Sequence, residues 1–277
     1  IGYQAGYGNS GDRVTALGRQ SAYQNSGDWV VAVGNNSGWQ NSGRYLSAVG
    51  RSSATQNSGD TVTALGYYSA YQNTGDLVVA MGFESAHSNS ANNLTAIGDN
   101  SAHTNSGINV TALGLTSAYQ NSGDYLTAVG ANTSFNNSGD NVTALGYYSS
   151  AANTGDNLTA LGFETSRYRN APNSLVAGYQ AGYGADTVRA TTSNNVFLGY
   201  QTGYTAQTGA DNNIFIGYGA ADSLTTGANN LIIGYDVEAP SNTASNQLNI
   251  GNLIFGTGID GTGTTLSSGN IGIGTTS

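Results

Sequence analysis

Two histidines, His87 and His103, lie 16 residues apart, and Glu84 precedes the first of them by three positions. Imidazole and carboxylate groups held together can bind a transition metal or pass a proton. The interval of 16 recurs in an acidic set, Asp12, Asp28, Asp60, Asp76, Asp124, Asp140 and Asp156, broken by Arg44, Asn92 and Ile108. Carboxylates repeated at strand spacing repel one another, and a hard cation such as Ca²⁺ would bridge them. Tyr23, Trp39, Tyr71, Tyr119 and Phe135 share the column of the two histidines. They are the candidate glycan-contacting residues, because aromatic rings beside Asn and Gln amides suit sugar rings. Tyr67, Tyr68, Phe83, Tyr147, Tyr148 and Phe163 are their neighbours.

Each set has a structural alternative, and the alternative is preferred. The histidines would simply replace aromatics in their column. The aspartates would form a solvated turn edge. Aromatics one coil apart would pack on each other. No catalytic residue, metal ligand or cofactor is assigned. Neither a Ser-His-Asp set nor His-Glu-x-x-His occurs. Glu84 and Glu164 share a column, but at strand spacing they are about 24 Å apart, too far for a glycosidase pair on one chain. Such a pair formed between chains stays open. Asn93, Asn109, Asn141 and Asn157 begin Asn-x-Thr triplets whose Thr belongs to the repeat.

These columns imply elements that repeat. Gly recurs at every sixteenth position from 2 to 178. Before it stand segments such as Val14-Thr15-Ala16-Leu17 and Leu158-Thr159-Ala160-Leu161, with Ala two before the Gly in ten consecutive units. A Ser or Thr follows three after it, and most units close with Asn-Ser/Thr-Gly-Asp. The apolar segment is β-branched and suits a strand. The Gly marks a backbone position that needs φ > 0 or tolerates no Cβ. The Asn-Ser-Gly-Asp cluster is turn chemistry, with Gly supplying positive φ and Asn and Asp bonding nearby backbone. Each unit therefore predicts one strand, a corner, a short second extended segment and a turn. Identical units stack in register, so the fold class is all-β: a parallel β-solenoid, or β-roll, with 16-residue coils.

Both strand faces are largely apolar. Val14 and Ala16 share one, Thr15 and Leu17 the other. A thin coil buries only one face, so the other must be covered, and the cheapest cover is the same stripe on another copy. Which face points inward stays open, as does the order of the symmetry. Three regions are expected: the regular repeat over 1–178, longer coils of 17–21 residues over 179–251, and a Gly/Thr-rich transition over 252–277. In the second region Phe197, Phe215 and Ile232 replace the Ala, which predicts a wider cross-section.

Composition narrows the function. With no Cys, thiol chemistry and disulfides are excluded. A net charge of −9 argues against nucleic acid. No apolar run of membrane-spanning length occurs, and no signal-peptide pattern. The chain begins at Ile1, which reads as a fragment or a processed product. An ice-binding Thr array ranks low, because the Thr column alternates with apolar residues in a strand expected to be buried.

The strand motif Asn93-Leu94-Thr95-Ala96-Ile97-Gly98 resembles the core of trimeric autotransporter adhesin heads, although the unit here is longer and Thr replaces the middle Val. Gly178-Tyr179-Gln180-Ala181-Gly182 and Leu198-Gly199-Tyr200-Gln201-Thr202-Gly203 resemble repeats of phage tail-fibre shafts. The tail Leu266 to Ser277 resembles the stretch before a self-cleaving intramolecular chaperone. The resemblance implies a left-handed coil and a homotrimeric fibre. It also implies attachment to a host cell-surface glycan or outer-membrane receptor, contact with other tail-fibre segments, and a place in the virion. The alternatives are a bacterial surface adhesin head and a polysaccharide-degrading tailspike.

Overall fold

A computed structural model describes residues 1–184 and 190–274. The chain divides into two compact units, Ile1–Asn137 and Ser138–Ser277. Both are built of strands and turns, with no helix among the described residues. The parallel β-solenoid expected from the repeat is the fold observed.

The first unit holds β1 (Val14–Leu17), β2 (Val30–Val33), β3 (Leu46–Val49), β4 (Val62–Leu65), β5 (Val78–Met81), β6 (Leu94–Ile97), β7 (Val110–Leu113) and β8 (Thr127–Val129). Each pairs in parallel with the next at a register of 16, as in Val14↔Val30 and Ala16↔Ala32. Val30 and Ala32 are fully buried, whereas Leu17 stays 46% and Ile97 40% exposed. The Val/Ala face is therefore the inner one. The Thr column lies on the outer face with the Leu column, partly exposed rather than buried.

Each strand ends at the phase-fixed glycine for two reasons. Gly18 has φ of 132°, and a Cβ there would run into the carbonyl of Gly34 on the next coil. The turn glycines differ from expectation. Gly27 does not have positive φ; it is glycine because a Cβ would strike the Gly43 carbonyl. The left-handed residue of that turn comes two positions later, as Trp29 (φ 58°), Thr61 (59°) or Asn93 (59°).

The expected second extended segment is instead a run of tight turns. Gln20, Ala22 and Gln24 are left-handed, with φ of 52°, 49° and 50°. Their N–H groups still reach neighbouring coils: Gln20 donates to Tyr3 O, Ala22 to Ser37 O and Gln24 to Tyr7 O, each at 2.8 Å. Alternating handedness closes the coil in a few residues while keeping the backbone groups paired along the stack. Ala22 points inward, and its column accepts only small residues such as Gly38 and Ala54.

The interior is thin and partly polar. Ser21 Oγ donates to Ala32 O at 2.6 Å, and Ser37 Oγ to Ala48 O at 2.9 Å. This explains the Ser three residues after each glycine. Buried amides form a second ladder. Asn41 Nδ2 donates to Asn25 Oδ1 at 2.8 Å and to Gly43 O at 2.7 Å, and Asn57 and Asn73 repeat the pattern.

The second unit holds β9 (Thr143–Leu145), β10 (Thr159–Leu161), β11 (Arg169–Asn170), β12 (Leu175–Ala177), β13 (Ala190–Thr191), β14 (Val196–Leu198), β15 (Ile214–Ile216) and β16 (Leu231–Ile233). After them come β17 (Gln247–Ile250), β18 (Ile254–Thr257) and β19 (Ile271–Ile273). The longer coils enclose larger side chains, as the sequence predicted. Phe197 and Phe215 are buried and stacked at 4.9 Å. β11 and β13 form a separate two-stranded pair, and Arg169 on β11 is wholly buried. The parallel stack ends when β17 pairs antiparallel with β18, and β18 with β19. Thr275 to Ser277, the end of the tail motif, lies outside the described residues.

Candidate functional site

Tyr23 sits between the inward Ala22 and the exposed Gln24, so the turn sequence aims its ring outward. The column stacks: Tyr23–Trp39 at 6.3 Å, Tyr71–His87 at 4.9 Å, His103–Tyr119 at 5.0 Å and Tyr119–Phe135 at 5.3 Å. Thr55 replaces a ring between Trp39 and Tyr71 and is 5% exposed. Stacked rings cover each other's faces and present edges to solvent. Beside them runs an exposed amide ladder, with Gln40 Nε2 donating to Gln24 Oε1 at 3.0 Å and Gln72 Nε2 to Gln56 Oε1 at 3.0 Å. Ring edges next to primary amides can meet the C–H edges and hydroxyls of a glycan, but they leave few free faces for sugar stacking.

The two histidine rings are stacked at 4.6 Å and only 4° from parallel. Glu84 Oε2 lies 3.9 Å from His103 Nε2. His87 Nδ1 contacts Ser88 Oγ at 3.0 Å, and His103 Nδ1 contacts Thr104 Oγ1 at 2.7 Å. Parallel imidazoles point their lone pairs in parallel, whereas a bound metal needs them to converge at about 2.0–2.1 Å. Burial pushes both histidines below their ordinary pKa, and for His103 the neighbouring His87 adds to this; Glu84 pulls both the other way. The pair is neutral stacking material of the column. Among the described residues no group of three or more metal-ligating side chains comes together.

The aspartates have a structural task. Asp12 N–H donates to Asp28 Oδ1 at 2.8 Å, Asp60 N–H to Asp76 Oδ1 at 2.8 Å and Ile108 N–H to Asp124 Oδ1 at 2.8 Å. Each carboxylate thus holds the backbone of the preceding coil. Arg44 keeps the donor half of the ladder but offers no carboxylate to the Asp28 N–H: its own N–H and its guanidinium both engage Asp60, which lowers the Asp60 pKa. Glu84 belongs to the first unit and Glu164 to the second, where Glu164 pairs with Arg167 and accepts from Gln180 Nε2 at 2.8 Å.

Three features escaped the sequence reading. The first is the continuation of the Tyr147 and Phe163 neighbours into a ladder through the second unit, with Tyr179, Tyr200, Tyr218 and Tyr235 following and successive centroids at 5.2, 5.0, 5.1, 4.7 and 5.1 Å. The Gly-Tyr pairs at 178, 199, 217 and 234 were its signal. The second is Arg169, whose Nη2 donates to Ala206 O at 2.7 Å while Nε and Nη1 have no partner. Burial lowers its pKa to about 9. Its isolation has no sequence signal, because spacing does not say what a side chain is buried among. The third is a polar cleft of about 300 Å³ lined by Asn229, Asn246, Ile259, Asp260, Gly261 and Thr262.

No protein-family model matches the chain, and the search of curated proteins finds no match.

Proposed function

We propose that this chain is a non-enzymatic structural fibre segment that assembles side by side as a homotrimer and attaches to a host cell surface. The role is that of the shaft and receptor-binding region of a phage tail fibre. One observation carries it: the outer strand face bears rows of partly exposed aliphatic side chains in both units, including Leu17 at 46% and Ile97 at 40% in the first and Leu175 at 37% and Ile214 at 41% in the second. Such a stripe in water favours burial against another surface. Stacked backbone ladders give stiffness without chemistry, and the exposed ring edges and Gln amides supply a surface for a glycan. Two measurements test this. Sedimentation equilibrium is expected to give three times the chain mass of 28.2 kDa. Labelled protein is expected to adsorb to bacteria and to lose that adsorption once surface polysaccharide is stripped; a monomer that ignores the polysaccharide overturns the role. A bacterial adhesin head is the second reading, favoured by the Asn93 to Gly98 motif, whose Leu94–Ile97 portion forms β6. Labelled antibody finding the protein on cells rather than on particles would favour it.

A further inference from the structure

The outer columns change character between the units. In the first unit the residue two before each aliphatic is mostly Thr or Ser, as at Thr15, Ser47 and Thr63, and the residue two after it is mixed, with Arg19, Asn35, Arg51 and Asp99 interspersed among Tyr67, Phe83 and Leu115. In the second unit, from β12 to β16, all three columns turn apolar. The first column reads Leu175, Val196, Ile214, Leu231 and the second Ala177, Leu198, Ile216, Ile233. The third is Tyr179, Tyr200, Tyr218, Tyr235. The strands keep them in register, with Val196↔Ile214↔Leu231 and Leu198↔Ile216↔Ile233. Large members remain open: Leu175 is 37% exposed, Ile214 41%, Tyr218 47% and Tyr235 77%.

We propose that the outer face of β12, β14, β15 and β16 is the seat of self-association and that its occupant is a second copy of this chain. This rests on the self-associating fibre proposed above and says where along the chain the association is carried.

Two arguments select the occupant. The rungs of the Tyr column are 5.1, 4.7 and 5.1 Å apart. Rows with that repeat are met rung for rung only by a partner with the same repeat, and a second copy has it by construction. The area is also sufficient. With 150–250 Å² per aromatic side chain, four partly exposed tyrosines and two aliphatic columns offer on the order of 700–800 Å², close to the roughly 800 Å² each partner gives to a standard interface. None of the twelve residues is charged, so burying them strands no ion. Tyrosine also suits a seam of this kind, since its ring is buried while its hydroxyl keeps a polar partner.

The test compares outward-facing substitutions in the two units by sedimentation velocity at micromolar concentration, with circular dichroism as the check on folding. Wild type is expected to sediment as a multiple of 28.2 kDa. Ile216→Asp in the second unit is expected to give single chains, and Leu65→Asp in the first unit to stay associated. Should Ile216→Asp fail to fold, the double variant Tyr200→Ser/Tyr218→Ser removes only outer rings and decides instead. An associated wild type whose second-unit variants also stay associated overturns the seat and leaves the fibre standing. Dissociation by Leu65→Asp, alone or together with the second-unit variants, does the same. A wild type that is a single chain overturns both.

Discussion

The buried amide ladder is the feature whose loss should cost most for one side chain. Asn73 Nδ2 donates to Asn57 Oδ1 and to Gly75 O, both at 2.8 Å, and Asn73 Oδ1 accepts from Asn89 Nδ2 at 2.8 Å. Asn73→Ala removes all three bonds. It strands the Asn57 carbonyl oxygen, the Gly75 carbonyl and one Asn89 hydrogen in a dry interior, since Asn57, Asn73 and Asn89 are at most 1% exposed. Each stranded group costs about 1–3 kcal/mol, so the variant should lose about 3–6 kcal/mol once local relaxation is allowed for. The neighbouring Gln72→Ala also removes an inter-coil amide bond, Nε2 to Gln56 Oε1 at 3.0 Å, but in solvent. Its loss should stay within about 0.5 kcal/mol. Urea unfolding at fixed chain concentration reads both, because the proposed self-association would add a concentration term. Native-state hydrogen exchange localises the effect to the Thr74 amide, which donates to Asn89 O at 2.9 Å. If the two variants fall within 1 kcal/mol of each other, a threshold set by that roughly 1–3 kcal/mol cost per group, the buried ladder does not hold the coils and the reasoning fails.

Three further outcomes are expected. Gly66→Ala places a methyl against the Gly82 carbonyl at a φ of 136°, so it should prevent folding or destabilise by more than about 4 kcal/mol, read by circular dichroism and thermal melting. Arg169 has a folded pKa of about 9, well below that of an ordinary guanidinium, because burial disfavours its charged form in the fold. That cost is fully present below pH 9 and is relieved as pH rises above 9 toward the ordinary guanidinium range. At about 1.4 kcal/mol per pH unit, less about 1–3 kcal/mol for the Ala206 carbonyl left bare, Arg169→Met should gain about 2–4 kcal/mol at neutral pH. The gain should shrink above pH 9, and a loss of stability at neutral pH would contradict it. His87 and His103 are pushed below their ordinary 6.5 by burial, so the fold favours their neutral forms. Their contribution is complete above 6.5 and is lost as pH falls through 6.5 toward the lower folded values. Tyr already occupies this column, and His103→Tyr should flatten the part of the acid-side loss that His103 contributes, measured as melting temperature between pH 7 and pH 5.

Much of the architecture is legible in the residues because the repeat is a symmetry. A chain that returns to the same side-chain set every 16 positions buries and pairs those residues most completely by stacking like on like, and Val14 pairs with Val30 accordingly. The phase-fixed Gly18 column and the longer coils that bury Phe197 and Phe215 follow from the same logic. The candidate columns were legible as columns, though not in their tasks. Nothing in the spacing says that Asp28 accepts the Asp12 N–H, or that the two imidazoles lie parallel.

Strand alternation sorts Val14 and Ala16 from Thr15 and Leu17, and sequence goes no further, because both sets are apolar enough to be buried. The closing turns decide. Left-handed Gln20, Ala22 and Gln24 bend the chain so that Ala22 and the Ser and Asn ladders fall on the Val/Ala side, leaving Leu17 in the open. The two glycine columns look alike in one dimension. Only stacking separates Gly18, which needs both its φ and its missing Cβ, from Gly27, which needs only the missing Cβ, since that demand comes from a carbonyl sixteen residues away.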